Sequence, residues 1–171
     1  MIYHRASGFS LIELLIYIAI IAVFSSVLAS VFIALGRSRG QLEARAEVNQ
    51  ALRFANEKMT QDIRAATTVT TPASAGASSS TLTLVVGGST VTYRTNAGAL
   101  ERQIDALPAE PVTSALVSVS LLRFTRTENT NVVLGKTRVG IQTEITIAYQ
   151  TAGQDWAYDA SKKTTTLMRD E

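Results

Sequence analysis

The hydrophobic pattern at the start of the chain is one long apolar run. Between Phe9 and Leu35 only Glu13 carries a charge, and there is no proline or glycine. At about 1.5 Å per residue a helix of this length measures roughly 40 Å, whereas a bilayer core of about 30 Å needs only about 20 residues. We therefore predict a membrane-spanning helix over residues 9–35. A carboxylate in such a span is costly unless it is paired, and the run contains no basic side chain.

A helical pattern continues over residues 36–66. Apolar residues recur at steps of three and four, which predicts an amphipathic helix that packs on a sheet. The members of this stripe are Val48, Leu52, Ala55, Met59, Ile63 and Ala66. Charged residues fill the other side and suit two i,i+4 pairs, Arg53 with Glu57 and Lys58 with Asp62. We expect Gly36 and Gly40 to interrupt the helix, because each glycine costs about 1 kcal/mol relative to alanine.

Residues 67–171 show the period of two that predicts antiparallel strands. The segment Thr67–Ser80 is rich in Thr, Ser and Ala and is predicted to be a loop, as is Thr151–Lys163. Tight turns are predicted at Gly87-Gly88 and at Asn96-Ala97-Gly98. The strands are expected around residues 81–86, 91–93, 99–104, 112–126, 139–150 and 164–169. The fold class is therefore α+β, with a long hydrophobic N-terminal helix packed on a C-terminal antiparallel sheet.

The composition narrows the range of functions. The formal net charge is only +2, which gives no reason to expect a nucleic-acid partner. There is no cysteine, and the one histidine is His4. Without a thiol or a second histidine the chain offers no histidine-based catalytic triad away from its N-terminus, nor a common zinc site. We therefore expect no enzymatic activity and no cofactor.

The residues that open the apolar run form a specific motif. It reads Gly8-Phe9-Ser10-Leu11-Ile12-Glu13-Leu14-Leu15, and the short segment before it carries Arg5. This arrangement resembles the N-terminal signature of bacterial type IV pilins and type II secretion pseudopilins. That signature is a short basic leader that ends in glycine, an aromatic residue, an apolar run and a glutamate five positions into the mature chain.

The resemblance implies a processing route and a set of partners. Residues 1–8 would be a leader that prepilin peptidase removes between Gly8 and Phe9, and Phe9 would then be N-methylated. The helix would pack among other pilin or pseudopilin subunits, with the carboxylate of Glu13 meeting the terminal amine of a neighbour. The protein would sit in the inner membrane with its C-terminal domain outside, in contact with membrane lipid and an assembly platform, before it joins a periplasmic or surface filament.

Two other interpretations of the N-terminus remain open at this point. A conventional signal peptide has an apolar core of about 7–15 residues, and Val27-Leu28-Ala29 could serve as its cleavage site. The run here is far longer and contains an acid, which disfavours that interpretation. A simple single-pass anchor for an adhesin or binding module that does not assemble is long enough, but it gives no reason for Glu13.

Shorter features of the head domain suggest further expectations. Val91-Thr92-Tyr93-Arg94, Leu100-Glu101-Arg102 and the closing Thr166-Leu167-Met168-Arg169 resemble minor pseudopilins of the J type or the related W-like type. Asp155 and Asp159 are oxygen ligands of the kind that calcium binds, but their spacing fits no known calcium loop, and we interpret them as solvated acids. Trp156 and Tyr158 are either a contact patch or a cap on the sheet, and we favour the cap.

Overall fold

The computed structural model of the protein describes residues 10–133, 135–150 and 156–169. Over these residues the chain forms one helix, α1 (Leu11–Ala65), followed by strands. The strands are β1 (Ala66–Thr71), β2 (Ser78–Ser79), β3 (Leu82–Val86), β4 (Ser89–Asn96), β5 (Ala99–Ile104), β6 (Glu110–Pro111), β7 (Val117–Asn131), β8 (Lys136–Tyr149) and β9 (Asp159–Leu167). The predicted α+β class is confirmed, with a long apolar N-terminal helix packed on antiparallel strands.

Helix α1 begins at the carbonyl of Ser10, which accepts the backbone N–H groups of Glu13 (3.1 Å) and Leu14 (3.2 Å). The helical backbone then continues through Gly36 and Gly40. The predicted interruption at these glycines is therefore wrong. Each glycine costs only about 1 kcal/mol, and helix propagation from the long segments on both sides offsets that cost.

The chain divides into two compact units, Met1–Gly40 and Gln41–Glu171. In the second unit the predicted apolar stripe is confirmed, because all of its members are buried; its last member, Ala66, begins β1 and the others lie on α1. They pack with inward side chains of the strands into one core, whose largest fully buried members include Tyr93, Phe124, Ile141 and Ile145.

The strands form two sheets rather than the one that the pattern predicts. A five-stranded sheet has the order β1-β3-β4-β5-β6, and a four-stranded sheet has the order β2-β7-β8-β9. The predicted loop Thr67–Ser80 is partly wrong, because it contains β1 and β2. β1 is rich in threonine, which is β-branched and suits a strand, and it pairs with β3. β2 pairs with β7 through Ser78 and Ser79.

The predicted turns and the inward face of β8 are confirmed. Val86 pairs with Ser89 across Gly87-Gly88, and Asn96 pairs with Ala99 across Ala97-Gly98. The apolar residues predicted to face inwards along β8 do so, and they are Val139, Ile141, Ile145, Ile147 and Tyr149. The predicted loop Thr151–Lys163 is wrong from Asp159 onward, because that part pairs with β8 as the start of β9.

Gly98 brings the two sheets together at the turn between β4 and β5. Its carbonyl accepts the backbone N–H of Val119 on β7 at 2.7 Å. Its φ is +84°, and a Cβ at this position would lie 2.6 Å from the Oγ of Ser118. A side chain here would therefore meet backbone strain, and the Ser118 hydroxyl would have to rotate to make room for it, so the close approach of β7 favours glycine.

Candidate functional site

Glu13 lies in the first turn of α1, next to backbone N–H groups that have no partner within the helix. A carboxylate is favourable at this end of a helix because the peptide dipoles give it partial positive charge. Around it the apolar side chains are exposed; Leu11 is 81% exposed and Ile12 is 68% exposed. The structure therefore presents the carboxyl group of Glu13 on an uncovered apolar surface.

That apolar surface extends along the first half of α1. The helix is long and apolar enough to cross a membrane, and none of its most apolar stretch is buried. The hydroxyls of Ser26 and Ser30 donate to the carbonyls of Val23 and Val27, each at 2.7 Å. The helix thus satisfies these polar groups itself, and its apolar surface is left for lipid or for other helices.

Three polar side chains meet where the second half of α1 packs on the five-stranded sheet. Asp62 lies on α1, and Tyr93 and Arg102 are direct partners in the ladder between β4 and β5. The Tyr93 hydroxyl donates to Asp62 Oδ2 at 2.6 Å, and Arg102 Nε donates to the same oxygen at 2.7 Å. Directly opposed residues share a face of the sheet, so the β4–β5 register places both donors towards the helix.

Burial makes this network strong. Tyr93 is fully buried, and the side chains of Asp62 and Arg102 are 8% and 14% exposed. Burial raises the pKa of the Tyr93 phenol far above its ordinary range, and the hydrogen bond to Asp62 raises it further. The same carboxylate raises the pKa of Arg102 through its hydrogen bond. Charge-assisted hydrogen bonds of this length are stronger than neutral ones, so the network fixes the helix in one register on the sheet.

Sequence reasoning missed this network. The predicted surface pair of Lys58 with Asp62 is wrong, because Asp62 is buried and binds Arg102 instead. The burial of Asp62 could have been inferred from its spacing to the apolar residues of the helix. Asp62 lies three residues after Met59 and four before Ala66, which places it in the phase of the apolar stripe.

Two further contacts attach α1 to the rest of the second unit. The hydroxyl of Ser114 donates to Glu47 Oε1 at 2.5 Å, and the Arg45 guanidinium lies 5.6 Å from the ring centroid of Tyr158. Tyr158 is half-buried and packs against the core, so the interpretation of this residue as a cap is confirmed. Trp156 is 43% exposed, so the cap interpretation is not confirmed for this residue.

The structure describes one of the two aspartates that we considered for calcium. Asp159 opens β9 and pairs with Ala148, whereas Asp155 lies outside the described residues. Within residues 10–133, 135–150 and 156–169, no group of three or more His, Cys, Asp or Glu side chains is arranged to hold a metal ion. Gly8 and Phe9 also lie outside the described residues, so their roles stay predictions.

A family model matches the start of the chain. Residues 3–29 match the model of the prokaryotic N-terminal methylation motif. The chain carries the N-terminal signature of type IV pilins and pseudopilins. The motif implies processing by prepilin peptidase and assembly with other pilin subunits, and the apolar helix is compatible with membrane anchoring. No curated protein and no solved structure matches the chain.

Proposed function

We propose that this chain is a minor pilin or pseudopilin, a structural subunit of a type IV pilus or type II secretion filament. The observation that carries the proposal is the methylation motif at residues 3–29, which opens an uncovered apolar helix. In this proposal the precursor is anchored in the inner membrane with its head domain outside. An assembly platform then moves it from membrane lipid into the filament.

The proposed physical mechanism is coaxial packing of apolar helices. Prepilin peptidase cuts between Gly8 and Phe9, which frees an amine at Phe9 that is then N-methylated. This amine keeps its positive charge and pairs with the carboxylate of Glu13 on an adjacent subunit. The pairing replaces a lone carboxylate with a charge-assisted contact. A lone carboxylate costs about 2.5–3.5 kcal/mol at mid-bilayer and less near an end of the span, where Glu13 lies.

The experiment that tests this proposal is mass spectrometry of the N-terminus after expression with and without a prepilin peptidase. With the peptidase, we expect the protein to begin at Phe9 and to carry one added methyl group. Without it, the N-terminal peptide should retain residues 1–8. If the chain begins at Met1 or at Ser30 when the peptidase is active, the proposal is wrong.

Cross-linking of processed protein distinguishes filament assembly from a simple anchor. An assembled subunit should form adducts with other pilin-type subunits through the apolar helix. A membrane-anchored adhesin or binding module would remain uncut and would form no such adducts.

A further inference from the structure

The hairpin formed by β7 and β8 extends past the strands that flank it. The ladder with β2 ends at Thr125 of β7, and the ladder with β9 ends at Gly140 of β8. The ladder between β7 and β8 nevertheless continues for four pairs beyond Gly140. This two-stranded segment, the hairpin arm (residues 127–133 and 135–140), therefore projects from one end of the second unit.

The tip of the arm exposes two adjacent apolar side chains. Val132 is 89% exposed and Val133 is 93% exposed, and both lie in the turn that connects β7 to β8. Residues 129–138, which surround them, include Lys136 and Arg138 and no acid. The arm therefore ends in an apolar pair with cations close behind it. Exposed apolar groups that cluster in this way are a feature of interaction sites.

The opposite end of the same two strands also exposes apolar side chains. Leu116 directly precedes β7, and its carbonyl accepts the backbone N–H of Gln150, the residue after β8, at 2.8 Å. Trp156 lies two residues before Tyr158, whose carbonyl accepts the backbone N–H of Tyr149 at 2.8 Å. Leu116 is 48% exposed and Trp156 is 43% exposed, so both present apolar surface at this end of the sheet.

Acidic side chains accompany this second apolar pair. Asp159 is exposed and opens β9, three residues after Trp156. Glu47 is bonded to the loop that leads to Leu116, and the nearby guanidinium of Arg45 lies over an aromatic ring. We call Leu116, Trp156, Asp159 and Glu47 the basal surface. It combines apolar side chains with acids, whereas the hairpin arm combines them with cations.

We propose that the hairpin arm of one copy of this chain docks on the basal surface of the next copy. The two valines of the tip pack against Leu116 and Trp156, and Lys136 lies near the acids of that surface. Burial of the apolar side chains favours the contact, and the complementary charges select which ends meet. The proposal rests on the proposed function, because assembly into a filament is what aligns successive copies.

The two contact sites lie at opposite ends of one strand. Leu116 precedes β7 and Val132 follows it, so a shift of one copy along β7 brings the tip to the basal surface. For the 15 residues of β7 this shift is roughly 50 Å at most, at about 3.4 Å per residue. Because the two surfaces differ, the contact is heterologous, and its repetition produces an open array. A tip-to-tip pair would instead bring cations together.

The absence of cysteine from the chain allows a direct test with the full-length protein. Val133→Cys and Leu116→Cys are combined in one chain, which is expressed with prepilin peptidase and an assembly platform and treated with a short bismaleimide. We expect a ladder of covalent multimers, because each copy offers both ends of the contact. Chains with only one of the two substitutions should form no ladder.

The matched control combines Val133→Cys with Leu167→Cys. Leu167 is also a half-exposed leucine, at 50%, but it lies at the other end of the sheet, where it pairs with Gly140. This control should yield severalfold less multimer. In the chain that carries cysteines at positions 133 and 116, Lys136→Glu should lower the multimer yield severalfold, and adding Asp159→Lys should restore part of it.

Cross-links through the apolar helix separate failure of this inference from failure of the proposed function. If helix adducts form but the chain with Val133→Cys and Leu116→Cys yields no ladder, copies assemble without this contact and the inference is wrong. Dimers of the Val133→Cys single variant, or adducts of its arm with a different subunit, also overturn it. If neither kind of adduct forms and residues 1–8 are retained, the proposed function fails and the inference fails with it.

Discussion

Tyr93 on β4 donates a hydrogen bond of 2.6 Å to Asp62 on α1, and Arg102 on β5 donates to the same carboxylate oxygen. The core of the second unit thus contains an ion pair at the contact between helix and sheet. Taking charges out of water is expensive, and it is tolerated here because both donors converge on Asp62. Removal of either donor should therefore lower the free energy of unfolding.

Arg102→Met should destabilise the protein strongly. It leaves the buried carboxylate of Asp62 with only the Tyr93 hydroxyl, and breaking a buried pair costs about 3–5 kcal/mol. The matched control is Arg94→Met on β4, because the Arg94–Glu101 pair is more exposed, at 47% and 17%, and such pairs contribute at most about 1 kcal/mol. Denaturant unfolding in detergent, followed by near-ultraviolet circular dichroism, measures both changes. Equal losses would show that burial of the ion pair has no special role.

The raised pKa of Tyr93 predicts a loss of stability at alkaline pH. Its ordinary value is 10.0, and burial followed by the hydrogen bond to Asp62 raises the folded-state pKa well above that. Above about pH 10 the unfolded chain loses the phenol proton while the folded protein keeps it, so the free energy of unfolding falls as pH rises. The contribution approaches about 1.4 kcal/mol per pH unit.

Tyr93→Phe removes this titration and should show a shallower pH dependence between pH 9 and 11. At neutral pH it should cost about 1–3 kcal/mol through the lost hydrogen bond. Tyr149→Phe is the control, since Tyr149 is half-buried at the other end of the core and has no part in the network. If the free energy of unfolding of Tyr93→Phe falls with pH as steeply as that of the wild type, titration of Tyr93 does not cause the loss of stability.

Gly98→Ala should destabilise the contact between the two sheets. The substitution combines a positive φ with a Cβ that would lie 2.6 Å from Ser118 Oγ, so we expect a loss of about 1–3 kcal/mol. Gly76→Ala is the control, because Gly76 has a similar φ of +78° and no atom within 4 Å of its Cβ. Adding Ser118→Ala should recover part of the loss. If Gly98→Ala and Gly76→Ala have the same effect, only backbone strain matters and the clash does not.

Glu13→Leu should leave the protein inserted in the membrane but impair its incorporation into filaments severalfold. The leucine suits lipid, but it cannot pair with the amine of a neighbouring subunit. Glu43→Leu serves as the control, since Glu43 is an exposed acid of the same helix outside the apolar run. Cross-linking to other subunits measures incorporation. Normal incorporation of Glu13→Leu contradicts the pairing model.

Elements in which apolar residues recur at a regular spacing were predictable from the sequence. The apolar stripe of α1 and the alternation along β8 each repeat often enough to specify which side is buried. β1 and the first half of β9 were not, because Thr67–Thr71 and Asp159–Lys163 are polar segments with little alternation. They become strands when the edges of β3 and β8 accept their backbone hydrogen bonds, which is a non-local effect.

The sequence by itself determined the apolar helix, its one acid and the methylation motif, because each depends on residues that are close together in the chain. Only the tertiary structure decided that Asp62 turns inwards to Tyr93 and Arg102, residues 31 and 40 positions away. It also decided that the meander divides into two sheets joined at Gly98. Burial and strand register select these contacts, and both depend on how distant segments pack together.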